Sequence, residues 1–237
     1  MWVRVPPVAP INMIQNFQKT IDGLYTAECN LDLNLLKKSC LDLEGFITSQ
    51  FDKSVSEYEG KSTETTKLFA QYNLCLYPYP MIHELYWTIH AMFHTSLTDY
   101  YSGKVEDKFV MQCWLNVYKK GEYIEWHSHT DNPKAWHGFF CVDVEPNSST
   151  FYRWDYDPTR KDMEIEIKGK NNLIVMGLSN GHKHKSSVWK KKTPRITIAF
   201  DLIPKKTIYE EMLVKYKGSY KDAVQKDIRY LNHWIPI

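Results

Sequence analysis

At 237 residues, with 43 % hydrophobic and 24 % charged residues, the chain can bury a real core and is neither a disordered nor a fibrous sequence. Its 30 basic and 28 acidic residues nearly cancel, to a net charge of +2, so bulk charge demands neither nucleic acid nor an anionic membrane as partner. No apolar run reaches membrane-spanning length, and the five cysteines, odd in number and without a Cys-x-x-Cys pair, read as reduced and mostly buried thiols.

Residues 1–13 carry three prolines in the first ten and are expected to form an extended arm, with Met13 as an alternative start. The opening lacks a signal-peptide layout, which points to the cytoplasm. Residues 14–107 are expected to form a mainly helical part packed on a barrel, with room for one short strand before residue 30. Asn34–Tyr58 has apolar residues at helical spacing (Leu35, Leu36, Leu43, Phe46, Ile47, Phe51). Glu59–Thr66 is a polar loop. After the Tyr77-Pro-Tyr-Pro80 break a second helix presents Ile82, Leu85, Ile89, Phe93 and Leu97 on one face, and Gly103 closes it. His90 and His94 lie beside that stripe as half-buried or exposed helix residues; a zinc peptidase would need a Glu directly after the first His.

From residue 108 the pattern changes. Segments 109–118, 122–129, 136–144, 149–154, 163–167, 172–176, 184–189 and 195–203 are short, aromatic or β-branched, and separated by turn residues. Eight such strands predict a rolled antiparallel sheet over 108–204, in an α+β, mainly β chain. A C-terminal helix and tail over 205–237, with the helix around Ile208–Lys217, completes what is one domain overall.

Chemistry concentrates in Tyr118-Lys-Lys-Gly121-Glu-Tyr-Ile-Glu-Trp-His127-Ser-His129-Thr-Asp131, with His184 and Arg195 downstream. Residues at i and i+2 of a strand share a face, so His127 and His129 can point together into a barrel that a later strand carrying His184 also lines. Iron(II) with open positions is commonly held by two His and a carboxylate, and Asp131 offers a competing His129/Asp131 pair. On a straight strand positions 127 and 131 stand about 13 Å apart, so one ion takes 127/129 or 129/131. Arg195 lies in an otherwise apolar strand, Arg195-Ile-Thr-Ile-Ala-Phe200, where an inward guanidinium needs an anion. Thr197 shares its face. Tyr118, Asn116, Trp126, Trp136, His137 and Tyr152 are candidate pocket walls. His182 reads as a rim or surface group, since the spacing to Arg195 favours His184. Lys183, Lys185 and Lys190–Lys192 make the distal loop basic, and the charge balance elsewhere argues for a solvated loop rather than nucleic-acid binding.

This order of pieces resembles the 2-oxoglutarate- and iron(II)-dependent oxygenase superfamily: a Tyr-x-x-Gly turn, a His-x-Asp-type strand, a distal His, and an Arg about ten residues later. The likeness covers roughly 108–203. It looks most similar to the oxygenases frequent in phage and marine bacterial genomes, which tend to carry His-x-His at the first site. The chain departs from the wider superfamily where His129 stands in place of Asp.

The resemblance implies a double-stranded β-helix (jelly-roll, cupin-like) with supporting N-terminal helices. It implies Fe(II), 2-oxoglutarate and O2, with His127, His129 and His184 (Asp131 as second choice) as ligands, and Arg195, Thr197 and Tyr118 on the cosubstrate. The implied reaction couples oxidative decarboxylation of 2-oxoglutarate to C–H oxidation, with no protein acid or base beyond the ligands. The substrate would be prolyl or another protein side chain, or a small metabolite, met in the cytoplasm (of a host, if the protein is viral). Two other readings fit the same barrel: a cupin-like metal-containing binding protein without turnover, and a three-His dioxygenase that does not use 2-oxoglutarate. Nothing in the sequence sets an oligomeric state.

Overall fold

The computed structural model describes residues 13–51, 62–102, 107–130, 132–154, 163–180, 182–208 and 234–237. Residues 1–12 of the expected arm, Gly103, Asp131 and nearly all of the expected C-terminal helix lie outside them.

Two antiparallel sheets form the core. The larger is ordered β1-β2-β7-β4-β9-β3-β10 and the smaller β6-β5-β8. Their strands are β1 Ile14–Ile21, β2 Leu24–Cys29, β3 Phe109–Tyr118, β4 Trp136–Asp143, β5 Ser149–Trp154, β6 Glu164–Lys168, β7 Leu173–Leu178, β8 His182–Ser186, β9 Arg195–Pro204 and β10 Ile235–Pro236. This is a double-stranded β-helix.

The first short strand of the sequence reading is a full hairpin, and β2 pairs with β7. The large sheet therefore takes two strands from the segment before residue 108.

The helices follow their apolar spacing. α1 (Leu33–Gln50) starts at Asp32, whose carboxylate accepts hydrogen bonds from the backbone N–H of Asn34 and Leu35. It ends earlier than expected, at Gln50. Leu36, Leu43 and Ile47 are buried, whereas Leu35 and Phe46 face outward. Inside the expected polar loop and just after it lie a short α2 (Glu64–Lys67) and two 3-10 turns, 69–71 and 74–76. α3 (Pro80–Tyr101) opens on proline at its first turn, where a missing N–H costs nothing. Its Ile82, Leu85, Ile89, Phe93 and Leu97 are all buried, as the spacing predicts.

These helices cover one face of the large sheet. Leu36, Leu43 and Ile89 pack in the same apolar core as Leu115, Val117, Phe140, Ile196, Ile198 and Phe200. The opposite parity of the same strands faces the small sheet. Gly138 sits where strands and core crowd: a Cβ there would lie 2.2 Å from the Val175 carbonyl oxygen and 2.5 Å from the Phe200 ring. All five cysteines are free thiols, and four are buried.

The expected strand 122–129 is not a regular strand. His127 makes an isolated bridge with His184, and the Ile124 N–H goes to the Ser186 hydroxyl rather than to a backbone carbonyl. The His127 ring also turns back to the Glu125 carbonyl. Side chains thus take ladder positions, and 121–127 runs beside 184–189 through scattered backbone bonds. β8 begins two residues earlier than expected and ends at Ser186, because His182–Ser186 is the stretch that registers with Thr150–Trp154 of β5.

Candidate metal centre and anion subsite

The Tyr118–Gly121 turn places the first histidine. Gly121 has φ +93°, a conformation that favours glycine, and its N–H donates to the Trp189 carbonyl at 2.8 Å. The chain then returns antiparallel to the end of β8. His127 and His184 exchange backbone hydrogen bonds at 3.1 and 2.9 Å, which brings their rings to a centroid separation of 4.2 Å. His129 lies 5.2 Å from His127 and 5.1 Å from His184, centroid to centroid. One nitrogen from each of the three lies within 4.8 Å of the others.

The donor atoms suit a metal ion. His127 Nδ1 lies 2.8 Å from the Glu125 carbonyl, so it carries the proton and Nε2 is the basic nitrogen. His129 Nδ1 lies 2.7 Å from Asp201 Oδ1, at ion-pair distance. His129 Nε2 faces His184 Nε2 at 3.4 Å. An ion bound at about 2.1 Å from each imidazole holds neighbouring ligands about 3 Å apart. Burial, reinforced by neighbouring imidazoles, keeps His184 well below its ordinary pKa and pulls His127 down to about 4. Both are neutral bases near pH 7, as a metal requires.

Behind the three sits His137, fully buried and stacked on His129 at 5.0 Å and His184 at 4.5 Å. Tyr152 continues the stack, 5.3 Å from His184. Tyr152 and His137 thus back the histidines rather than line the cavity. His182 is not a rim or surface group: it is buried with its ring 4.7 Å from Trp154, and burial lowers its pKa to about 4. It shares the inward parity of β8 with His184 but lies deeper.

A cavity of about 290 Å³ opens in front of the histidines. Its far end is formed by Arg195, Thr197, Asn116 and Tyr118. Arg195 is 3 % exposed, and neither its Nε nor its Nη1 has a hydrogen-bond partner among the described residues. Its guanidinium carbon sits 5.0 Å over the Tyr118 ring. A buried guanidinium that lies over an aromatic face, with Nε and Nη1 unpaired among the described residues, suits an anion, because burying the cation unpaired is costly. Asn116 Nδ2 donates to Thr197 Oγ1 at 3.3 Å, and its Oδ1 accepts from Thr66 Oγ1. Phe69, Trp114, Ile124 and Phe139 supply apolar wall.

Two pocket candidates face elsewhere. Trp136 belongs to the helix-side core, with Tyr25, Phe93 and Tyr100 around it. Its neighbour His137 takes the inward parity of β4, so Trp136 cannot share it. Trp126 lies under Arg153 and Lys185, at 4.0 and 4.6 Å from its ring centre, away from the cavity. His94 on α3 is exposed and His90 half-buried, in line with the sequence reading.

Sequence reading missed Asp201, Thr66, Phe69, Trp114 and Ser128. For Asp201 a signal existed: Arg195, Thr197, Ala199 and Asp201 alternate onto one face of β9, and all four line the cavity. Thr66 arrives from α2 by tertiary packing and left no local signal.

No protein-family model matches this sequence, and no curated protein is significantly similar to it. Solved structures share its fold at low identity. A prolyl hydroxylase from Trichoplax adhaerens, in complex with a hypoxia inducible factor oxygen degradation domain peptide, aligns at TM-score 0.50 and 12 % identity, over 83 % of this chain and 90 % of its own. AviO1 from Streptomyces viridochromogenes aligns at TM-score 0.53 and 14 % identity, over 78 % and 90 %. SnoK, a non-heme alpha ketoglutarate dependent carbocyclase from nogalamycin biosynthesis, aligns at TM-score 0.50 and 10 % identity, over 77 % and 80 %. The chain therefore has the fold of structures that include a prolyl hydroxylase and a non-heme alpha ketoglutarate dependent carbocyclase, with a three-histidine group in its barrel.

Proposed function

We propose that this protein is an Fe(II)- and 2-oxoglutarate-dependent oxygenase, most similar in its first-site His-x-His to the phage and marine bacterial examples, and that it acts in the cytoplasm as a hydroxylase. The observation that carries the reading is a buried guanidinium, Arg195, at the far end of a cavity whose near end is His127, His129 and His184. A dicarboxylate with a keto acid at one end matches that polarity: metal-binding at one end, anionic at the other.

In this reading His127, His129 and His184 hold the ion, and Asp131 is the second-choice carboxylate. Bound Fe(II) with 2-oxoglutarate and O2 supplies the oxidising chemistry, releasing succinate and CO2. The chain itself binds, orients and keeps water out. Arg195 takes the far carboxylate in charge-assisted hydrogen bonds, flanked by the Thr197 hydroxyl and the Tyr118 ring. Asn116 and Thr66 hold Thr197 in place. Phe69, Trp114, Ile124 and Phe139 dry the space between, which strengthens each polar contact inside it. No side chain is needed to move a proton during the central oxidation.

The substrate is a protein side chain such as prolyl, or a small metabolite, presented to the histidine end of the cavity. The same three imidazoles, with no carboxylate among them, favour a second reading: a three-His dioxygenase in which Arg195 binds the substrate's own carboxylate. Incubation of the purified protein with Fe(II), O2 and 2-oxoglutarate separates the two. Metal-dependent formation of succinate is expected under the first reading. Its absence, alongside retained Fe(II) binding and O2 uptake with another carboxylate substrate, would support the second.

A further inference from the structure

His129 stands where the resembling superfamily carries a ligating carboxylate, so an ion at this site meets three neutral donors and keeps its full double charge. We infer that Asp201 returns the missing negative charge from behind His129, as a positioning residue rather than as a ligand. The inference rests on the metal-centre reading above.

The geometry separates the two roles. Asp201 Oδ1 lies 2.7 Å from Nδ1 of His129, a close contact that is not aligned as a hydrogen bond, with the two side chains only 13 % and 12 % exposed. Nε2, across the same ring, is the nitrogen that faces His184 at 3.4 Å. The carboxylate therefore sits on the side of the imidazole away from the ion. No Lys or Arg forms an ion pair with Asp201 among the described residues. Its support is rigid: β9 is hydrogen-bonded on both edges, with Asp201 registered between Gln112 of β3 and His137 of β4. His129 is itself held between the Trp114 and His137 rings, at 5.8 and 5.0 Å. A carboxylate behind a ligating imidazole fixes its tautomer and ring plane and raises the basicity of the far nitrogen, and losing such a partner commonly weakens metal binding ten- to a hundredfold. β9 would thus hold both ends of the site, Arg195 for the cosubstrate and Asp201 for the metal.

The test is Mn(II) titration calorimetry on the full chain for wild type, Asp201→Asn, His129→Asp and the double variant, with folding checked by circular dichroism. Asp201→Asn should weaken Mn(II) binding roughly ten- to a hundredfold. In the His129→Asp background there is no imidazole to act through, and two carboxylates now face each other. There the same change should cost nothing or tighten binding. Should His129→Asp fail to fold, the rise in Tm on adding Mn(II) carries the test: it should shrink in Asp201→Asn while the metal-free Tm stays within a few degrees of wild type. Wild-type affinity in Asp201→Asn would overturn the inference and leave the metal centre standing. An equal loss in both backgrounds would make Asp201 a ligand or a structural residue, and overturn it too. A wild-type chain that binds no Mn(II) would overturn the metal centre itself.

Discussion

His127 and His184 are bridge partners: each donates its backbone N–H to the other's carbonyl, 57 residues apart in sequence, and their rings face at 4.2 Å. The backbone fixes this pair before any metal is considered. His184→Ala should therefore abolish most Fe(II) or Mn(II) binding while the fold persists, because the bridge bonds are main-chain. His127→Ala should do the same, and Asp131→Ala should retain metal. Metal stoichiometry by atomic absorption checks all three. Loss in Asp131→Ala with retention in His127→Ala would move the site to His129 and Asp131.

Gly138 is required by space. Gly138→Ala puts a methyl against the Val175 carbonyl at 2.2 Å and the Phe200 ring at 2.5 Å, across the middle of the large sheet. Overpacking of this kind costs about 1–3 kcal/mol. Urea unfolding should show a lower midpoint with an unchanged slope, and an unaltered midpoint would contradict the packing described for β4.

Four histidines, His137 and His182 buried and His127 and His184 half-buried, set the acid sensitivity of the metal-free protein. Desolvation lowers His127 and His182 to about 4 from the ordinary 6.5, and holds His137 and His184 well below it. Below pH 6.5 the unfolded chain takes up protons that the folded chain refuses, so this stability is full above 6.5 and drains as pH falls towards 4. Each histidine contributes a slope of up to about 1.4 kcal/mol per pH unit in that window. In chelator, the urea midpoint should fall steeply between pH 6.5 and 4.5 and stay nearly flat from 7 to 8. His182→Gln should flatten the acid limb, if the core tolerates the change. A limb of wild-type steepness in a folded His182→Gln protein would show that His182 titrates alike in both states.

Much of the fold is legible because the apolar pattern is strong where strands are long and paired on both sides. β3 spans the residues expected of it, and β9 exceeds expectation by one. The segment 122–129 misleads because its backbone bonds to 184–189 are scattered, and the Ser186 hydroxyl and the His127 ring take places a regular ladder would give to backbone groups. No propensity rule sees such a substitution. Trp136 was recoverable: a strand cannot send adjacent residues to one cavity, so choosing His137 excludes it. Asp201 was recoverable by the same parity, counted on from Arg195. Thr66 was not, since its hydroxyl reaches Asn116 across 50 residues of sequence. The three histidines singled out by spacing do lie together, with His184 brought to His127 by their backbone bridge.

In the proposed function one cavity binds a metal at its histidine end and the far carboxylate of 2-oxoglutarate at Arg195. The most direct test is anaerobic calorimetry of 2-oxoglutarate binding to wild type with and without Mn(II), and to Mn(II)-loaded Arg195→Met. Binding should need the metal and weaken about tenfold to a hundredfold in Arg195→Met, since a hydrogen bond to an ion contributes about 1.5–3 kcal/mol. Shorter oxoacids without the far carboxylate should respond little to the substitution. Equal affinity of 2-oxoglutarate for wild type and Arg195→Met, or binding indifferent to Mn(II), would contradict the proposed function.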